Sequence, residues 1–267
     1  MVNTRYRTFK DAVKYQIWGS ATVNAPKGVP AGRFTGSFEG EAHMDFSKYF
    51  EQYETLVRQV GAAFEQVQQA YPECVRCKPG CADCCHAVFD LTLIEALYIK
   101  ARFDERFAGD AREAVIASAN TADRTLVRIK RQAYREHQNG KPEAQILEDM
   151  AALRVACPLL EENQHCLMYD VRPITCRLYG IPTQIGDKAH SCNLSAFEPG
   201  RSYPTVKLDG VHRKLYEISF ALAQEIQSRY PRLAEMLVPL SMALLTDYSE
   251  EYLGVRLRDD QGAGTRG

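Results

Sequence analysis

The stretch Cys74-Val-Arg-Cys77-Lys-Pro-Gly-Cys81-Ala-Asp-Cys84-Cys85-His86 decides how this chain is read. It crowds five cysteines into twelve residues around Pro79-Gly80, a pair that breaks any regular period and marks a loop. Gaps of two and three residues let successive thiolates turn toward one point. A zinc ion takes four such ligands tetrahedrally, and a cubane iron–sulfur cluster takes four, one per iron. The adjacent pair Cys84-Cys85 is more selective. Neighbouring side chains diverge in most backbone conformations, so both reaching one small ion is awkward. Two irons of one cluster, or two separate centres, suit them better.

The other four cysteines lie downstream, in Cys157-Pro-Leu-Leu, in Cys166-Leu-Met-Tyr-Asp-Val-Arg-Pro-Ile-Thr-Cys176-Arg, and at Cys192. These gaps are too wide for one turn and imply a second loop, 157–192, folding back on the first, 74–86. Nine cysteines cannot all pair internally. Met1 to Lys10 has no apolar stretch of the secretory kind, so a reducing cytoplasmic setting is expected, where cysteine clusters bind metal more often than they form disulfides. The metal ligands are expected among these cysteines of the two loops. Arg172 and Arg177 stand beside them, placed to offset the negative charge of several thiolates. Tyr169 is grouped with the two arginines as cofactor-binding, although it reads as a packing aromatic more than a catalyst, as does Tyr179. His86 and His165 are alternative metal ligands.

Around the loops the scaffold reads as helical. Phe46, Phe50, Tyr53, Val57, Val60, Phe64, Val67 and Tyr71 recur at steps of four and three, one apolar stripe on a helix that Ser47 would cap and Pro72 would stop. Thr92 and Glu95 form a capping-box pattern at the head of a second helix, with Ile94, Leu97, Tyr98 and Ala101 as its apolar face. A third helix is expected over about 110–137. Val115, Ala119, Ala122, Leu126, Ile129 and Ala133 lie on its inner side, and Arg124, Arg128, Arg131 and Arg135 form a solvated outer face. Shorter helices are expected over 142–154, along Val211 to Ile226, and along Leu233 to Leu244. There is no βαβ alternation. The chain thus divides into an extended N-terminal arm (1–45), a mainly α cysteine-cluster domain (46–258) whose two irregular loops converge on a metal centre, and a polar, disordered tail (259–267).

Composition sets outer bounds. Thirty-three Lys and Arg against 34 Asp and Glu, in 267 residues, leave a net charge of −1, which argues against an overall nucleic-acid or membrane-surface binder. No apolar run approaches the roughly 18 residues of a membrane span.

The run Cys77-x3-Cys81-x2-Cys84-Cys85 with Leu91-Thr92 and Glu95, and the run Cys166 to Arg177 with its Tyr169 and Arg172-Pro173, resemble the YkgJ-type cysteine-cluster family. Cys157 to Leu160 and Cys192 extend the likeness over roughly 74–195. The family pattern has one residue fewer in its first gap and lacks Cys74, so the resemblance implies Cys77, Cys81, Cys84, Cys85, Cys157, Cys166, Cys176 and Cys192 as metal ligands, with the choice between Cys74 and Cys77 as first ligand open. The resemblance implies a zinc- or iron-chelating domain, often labelled an iron–sulfur oxidoreductase, with some members similar to flagellin lysine N-methylases. The spacing of Cys77, Cys81 and Cys84 is also that of radical S-adenosylmethionine enzymes. Asp83 in place of an aromatic residue, the mid-chain position and the lack of strands for a barrel count against membership. The resulting expectation is a 4Fe–4S cluster with a redox or S-adenosylmethionine-dependent role on a protein substrate or redox partner. The alternative is a zinc- or iron-chelating protein without catalysis.

Overall fold

The computed structural model describes residues 44–78 and 80–256. The arm expected over 1–45, apart from Met44 and Asp45, and the tail expected over 259–267 lie outside the described residues.

The protein is mainly α. Helix α1 (Ser47–Ala70) carries the leading apolar stripe and ends before Pro72. Its cap differs from expectation. Ser47 is already helical, and its N–H donates to Asp45 Oδ1 at 2.9 Å, so the carboxylate two residues upstream satisfies the free amide. The stripe is also rotated. Tyr49 and Leu56 join Tyr53, Val60 and Val67 in the core, while Phe50, Val57 and Phe64 pack at its edge.

Strand β1 (Asp90–Thr92) leads into α2 (Leu93–Arg106). The capping box forms as expected, with Glu95 Oε2 accepting from the Thr92 N–H at 3.2 Å and the Thr92 hydroxyl at 3.0 Å. Every residue from Leu93 to Ile99 is buried, so this helix is the axis of the molecule and not a one-faced surface helix. Helix α3 (Gly109–Gln138) leaves Arg124, Arg128, Arg131 and Arg135 exposed. On its inner side Lys130, in place of Ile129, is fully turned inward, and its ammonium lies 2.9 Å from the Asp90 carboxylate. A buried pair of this kind holds because each charge compensates the other.

Helix α4 (Glu143–Ala152) follows, then the second cysteine segment, then α6 (Leu208–Glu225). The segment between α4 and α6 is more ordered than its prolines suggest. It holds α5 (Ile174–Leu178) and strands β2 (Thr183–Ile185), β3 (Lys188–His190) and β4 (Val206–Lys207), which form a small sheet with β2 central.

The long helix expected over Leu233 to Leu244 is instead a 3-10 turn (Leu233–Glu235), strand β5 (Leu237–Pro239) and α7 (Leu240–Leu245). Pro239 explains the break. It has no N–H to donate and holds Val238 in the extended region. The freed backbone pairs antiparallel with β1, Leu91 opposite Val238. A short α8 (Glu250–Leu253), capped by the Ser249 side chain and ended by left-handed Gly254, closes the described chain. α2 packs on α1, α6 and α7, α7 packs also on α3, and α1 packs on α5 and α6. Phe103, Leu91, Leu93, Ile94, Ile99, Leu222 and Leu244 are among the buried residues of this core. Among the described residues the two sheets, of two and three strands, are far too small for a barrel.

Candidate metal centre

The first cysteine loop ends in a 3-10 turn (Asp83–His86), which presents Cys84 and Cys85. The chain just beyond it is zipped to the start of the second segment. The Val155 N–H donates to His86 O at 3.0 Å, and the Cys157 N–H to Cys85 O at 2.7 Å. Ala87 and Arg154 form an antiparallel bridge, and so do Leu160 and Cys166. At the far side the Ala196 N–H donates to Cys74 O. The two cysteine regions therefore lie against each other, as their spacing implied.

A buried carboxylate orients the third piece. Glu95, besides capping α2, turns Oε1 to the Ile174 N–H at 3.1 Å. That amide opens α5, where Pro173 leaves the helix start without side-chain capping, and two residues later stands Cys176. One side chain thus fixes α2, which follows the first loop, against α5, which carries a cysteine of the second. Burial raises the Glu95 pKa, and the Thr92 and Ile174 amides oppose that rise.

The thiols fall into two sets. In the inner set Cys84 interacts with Cys176 and with its neighbour Cys85, and Cys85 with Cys166. The interaction with Cys176 holds Cys84 at about 3, and the interaction with Cys85 brings Cys166 to about 7. The partners Cys176 and Cys85 move upward by the same interactions. Cys157 joins them, raised by burial to about 12. These five thiols line one end of a cavity of about 50 Å³, whose walls include Val88, Phe89, Leu126 and Met168.

The outer set is looser. Burial lifts Cys77 to about 11, and its sulfur lies against Gly180, where any Cβ would stand 2.2 Å from it. Glycine is therefore what allows Cys77 to reach the second segment. Cys192 donates to Asp83 Oδ2 at 3.2 Å, and Asp83 is also ion-paired with Arg154. Cys81 is part-exposed, and Cys74 is buried beside Glu73.

Arg172 lines the cavity, donates from Nε to Tyr169 O at 2.9 Å, and lies 3.6 Å from the centroid of the half-exposed Tyr169 ring. Its charge draws Cys84 and Cys166 downward. Arg177 is used differently, on the carbonyls of Arg172 and Asp170. The His86 Nδ1 is 3.0 Å from Ala82 O, and His165 is exposed.

Among the described residues no three His, Cys, Asp or Glu side chains stand in the arrangement of a formed metal site. The donor chemistry nonetheless fits a thiophilic metal. Zinc and iron–sulfur clusters select soft thiolates. The Leu194 N–H donates to the Cys192 sulfur at 3.4 Å, and the Leu159 and Met168 amides favour the ionised forms of Cys157 and Cys166. Amides aimed at sulfur stabilise it as thiolate, the form that ligates. These amides, the reach of Glu95 to Ile174 and the closeness of Gly180 to Cys77 were not foreseen from sequence. The capping-box pattern showed Glu95 but not its second partner.

Residues 76–193 match a family model, CxxCxxCC, described as "putative zinc- or iron-chelating domain". The match spans the last four cysteines of the first group and all four of the second. No curated protein and no solved structure matches the chain. No helix among the described residues is long and apolar enough to cross a membrane.

Proposed function

We propose, from the premise that residues 76–193 form a zinc- or iron-chelating domain of the CxxCxxCC type, that this chain carries a 4Fe–4S cluster on Cys84, Cys85, Cys166 and Cys176. The observation that carries this reading is that thiols from both cysteine segments, Cys84, Cys85, Cys157, Cys166 and Cys176, line one cavity. A cubane needs one thiolate at each of four irons, and this many thiols around one space suit that better than one small ion.

When bound, such a cluster supplies one-electron chemistry. The chain's own residues do the rest. Arg172 offsets the negative charge of the thiolates, and the amides of Leu159 and Met168 favour Cys157 and Cys166 as thiolates. The role we assign is redox or S-adenosylmethionine-dependent modification of a protein, in the cytoplasm. S-adenosylmethionine would have to bind outside the usual barrel, since the sheets here cannot build one.

A second reading is favoured by the outer set. Cys77, Cys81 and Cys192, with Asp83 beside them, offer ligands for a single zinc or iron ion, which would make the protein a chelator without catalysis. Anaerobic purification followed by iron, acid-labile sulfide and zinc analysis separates the two. About four irons and four sulfides per chain support the cluster. A colourless protein with stoichiometric zinc and no sulfide rejects it in favour of the chelator.

A further inference from the structure

The thiols take up only one end of their cavity. The rest of its wall comes from elements that carry no cysteine. Ile99 stands on α2, Ala122 and Leu126 on α3 and Leu240 on α7, and Val88 and Phe89 lie just before β1. Ile99, Ala122 and Leu126 are buried. Metal on the thiols engages the first end and leaves this apolar end without a role.

The chemistry of the apolar end selects its occupant. A buried water needs two to four polar partners. The side chains here offer the Ser241 hydroxyl, which already donates to Asp123 Oδ1 at 3.4 Å. A charged group would lose its hydration there without a counter-charge. Among the described residues Arg172 is the charged side chain on the lining, and it bonds the Tyr169 carbonyl and stacks on the Tyr169 ring. An apolar molecule meets neither cost. Size narrows the choice further. An apolar cavity of about 150 Å³ holds benzene, and this one measures about 50 Å³, room for roughly two heavy atoms.

We propose that the apolar end of the cavity is a binding site for a small, uncharged, apolar molecule of diatomic size, a dissolved gas, and that this site opens onto the metal held by the thiols. The opening onto metal rests on the metal-binding reading above.

The test uses xenon as probe on the full chain, purified without oxygen and holding its metal. The readout is the ¹²⁹Xe chemical shift as xenon pressure rises, with metal per chain measured on the same samples. The variants Ala122→Leu and Leu126→Phe add bulk to the apolar wall. The expected result is a saturable shift in the loaded wild type that both variants lose while metal per chain stays as it is. No saturable shift in the loaded wild type would overturn the proposal, whatever the stability of the variants. Saturable binding that arises only after chelation would overturn it too, because the space is then the metal's own. Variants that bind xenon as wild type does would place the gas elsewhere and overturn it as well. A wild type that carries no metal sinks the metal-binding reading instead, which the metal analysis reports separately from the xenon shift.

Discussion

The helical shell and the cysteine seam are held together by different means. In the shell, α2 is enclosed by α1, α6 and α7, and buried Leu, Ile and Phe side chains supply the stabilisation. Apolar burial is non-directional and tolerant of detail. The seam, made by the two cysteine segments 74–86 and 154–196, also sets Leu159, Met168, Ile174, Leu178 and Ile181 into that core. It is positioned by point contacts: the Cys157–Cys85 and Val155–His86 backbone bonds, the Glu95 bridge to Ile174, and thiol pairs across the loops. The difference teaches that the shell can fold on burial alone, whereas the inner thiols depend on directional contacts that metal ligation would complete.

The sharpest way to break this contrast is to remove a thiol from the inner set. Cys84→Ser and Cys176→Ser should each reduce metal per chain to background while leaving far-UV circular dichroism unchanged, and Cys74→Ser should leave metal content as it is. Helical collapse in the inner-set variants would mean the seam, and not the shell, holds the fold.

The next effect is in the shell. Lys130→Met strands the buried Asp90 carboxylate and should cost about 3–5 kcal/mol in urea unfolding. Asp90→Asn combined with it should recover most of that loss. Metal content should follow wild type in both, since the pair lies outside the seam.

Glu95 joins the two regions, so its change should register in both. Glu95→Gln keeps the size but leaves one of the Thr92 and Ile174 amides poorly satisfied, costing about 1–3 kcal/mol. Metal retention against a chelator should weaken at the same time, because α5 loses its anchor. Loss of stability with unchanged retention would assign Glu95 to the shell alone.

How much of this was legible in sequence follows the same division. The capping box at Thr92 and Glu95, the stripe on α1 and the arginine face of α3 rest on local spacing, and local spacing is what a sequence displays. The end of the chain was misread because Leu233 to Leu244 has helical spacing, while Pro239 and the partner strand at Asp90 to Thr92 override it. The order within 157–207 was missed because its strands pair in part with distant segments, β2 with β4 in parallel, and no short-range pattern records that. The cysteines announced a site through their types and gaps. Which thiol meets which, and that Glu95 and Gly180 place them, depends on contacts between residues 79 and 103 positions apart, as in Glu95–Ile174 and Cys77–Gly180.

The smallest expected effect is at the surface where shell and seam meet. Arg106 of α2 makes a two-pronged ion pair with Asp170, at 2.7 and 2.6 Å. The hydrogen bond from Arg106 holds the Asp170 carboxyl below its ordinary value of 3.8. A lowered folded pKa means the contribution is present above that value and is lost as pH falls through the folded pKa. Asp170 is largely exposed, so Asp170→Asn should cost less than about 1 kcal/mol at neutral pH, less still in high salt, and nothing once the pH is low enough to protonate Asp170 in the folded wild type. Urea unfolding of both proteins across pH and salt checks it.

The central claim is that the inner thiols across the loop junction hold the metal. Differential alkylation tests it most directly. The native protein, purified without oxygen, is labelled with one isotopic form of a thiol reagent with its metal bound and with another after chelation, and all nine cysteines are read by mass spectrometry. The account predicts that Cys84, Cys85, Cys166 and Cys176 are protected while metal is bound and become reactive on its removal, with Cys74 unchanged. Protection confined to Cys77, Cys81 and Cys192, or equal labelling of all nine in both states, would contradict it.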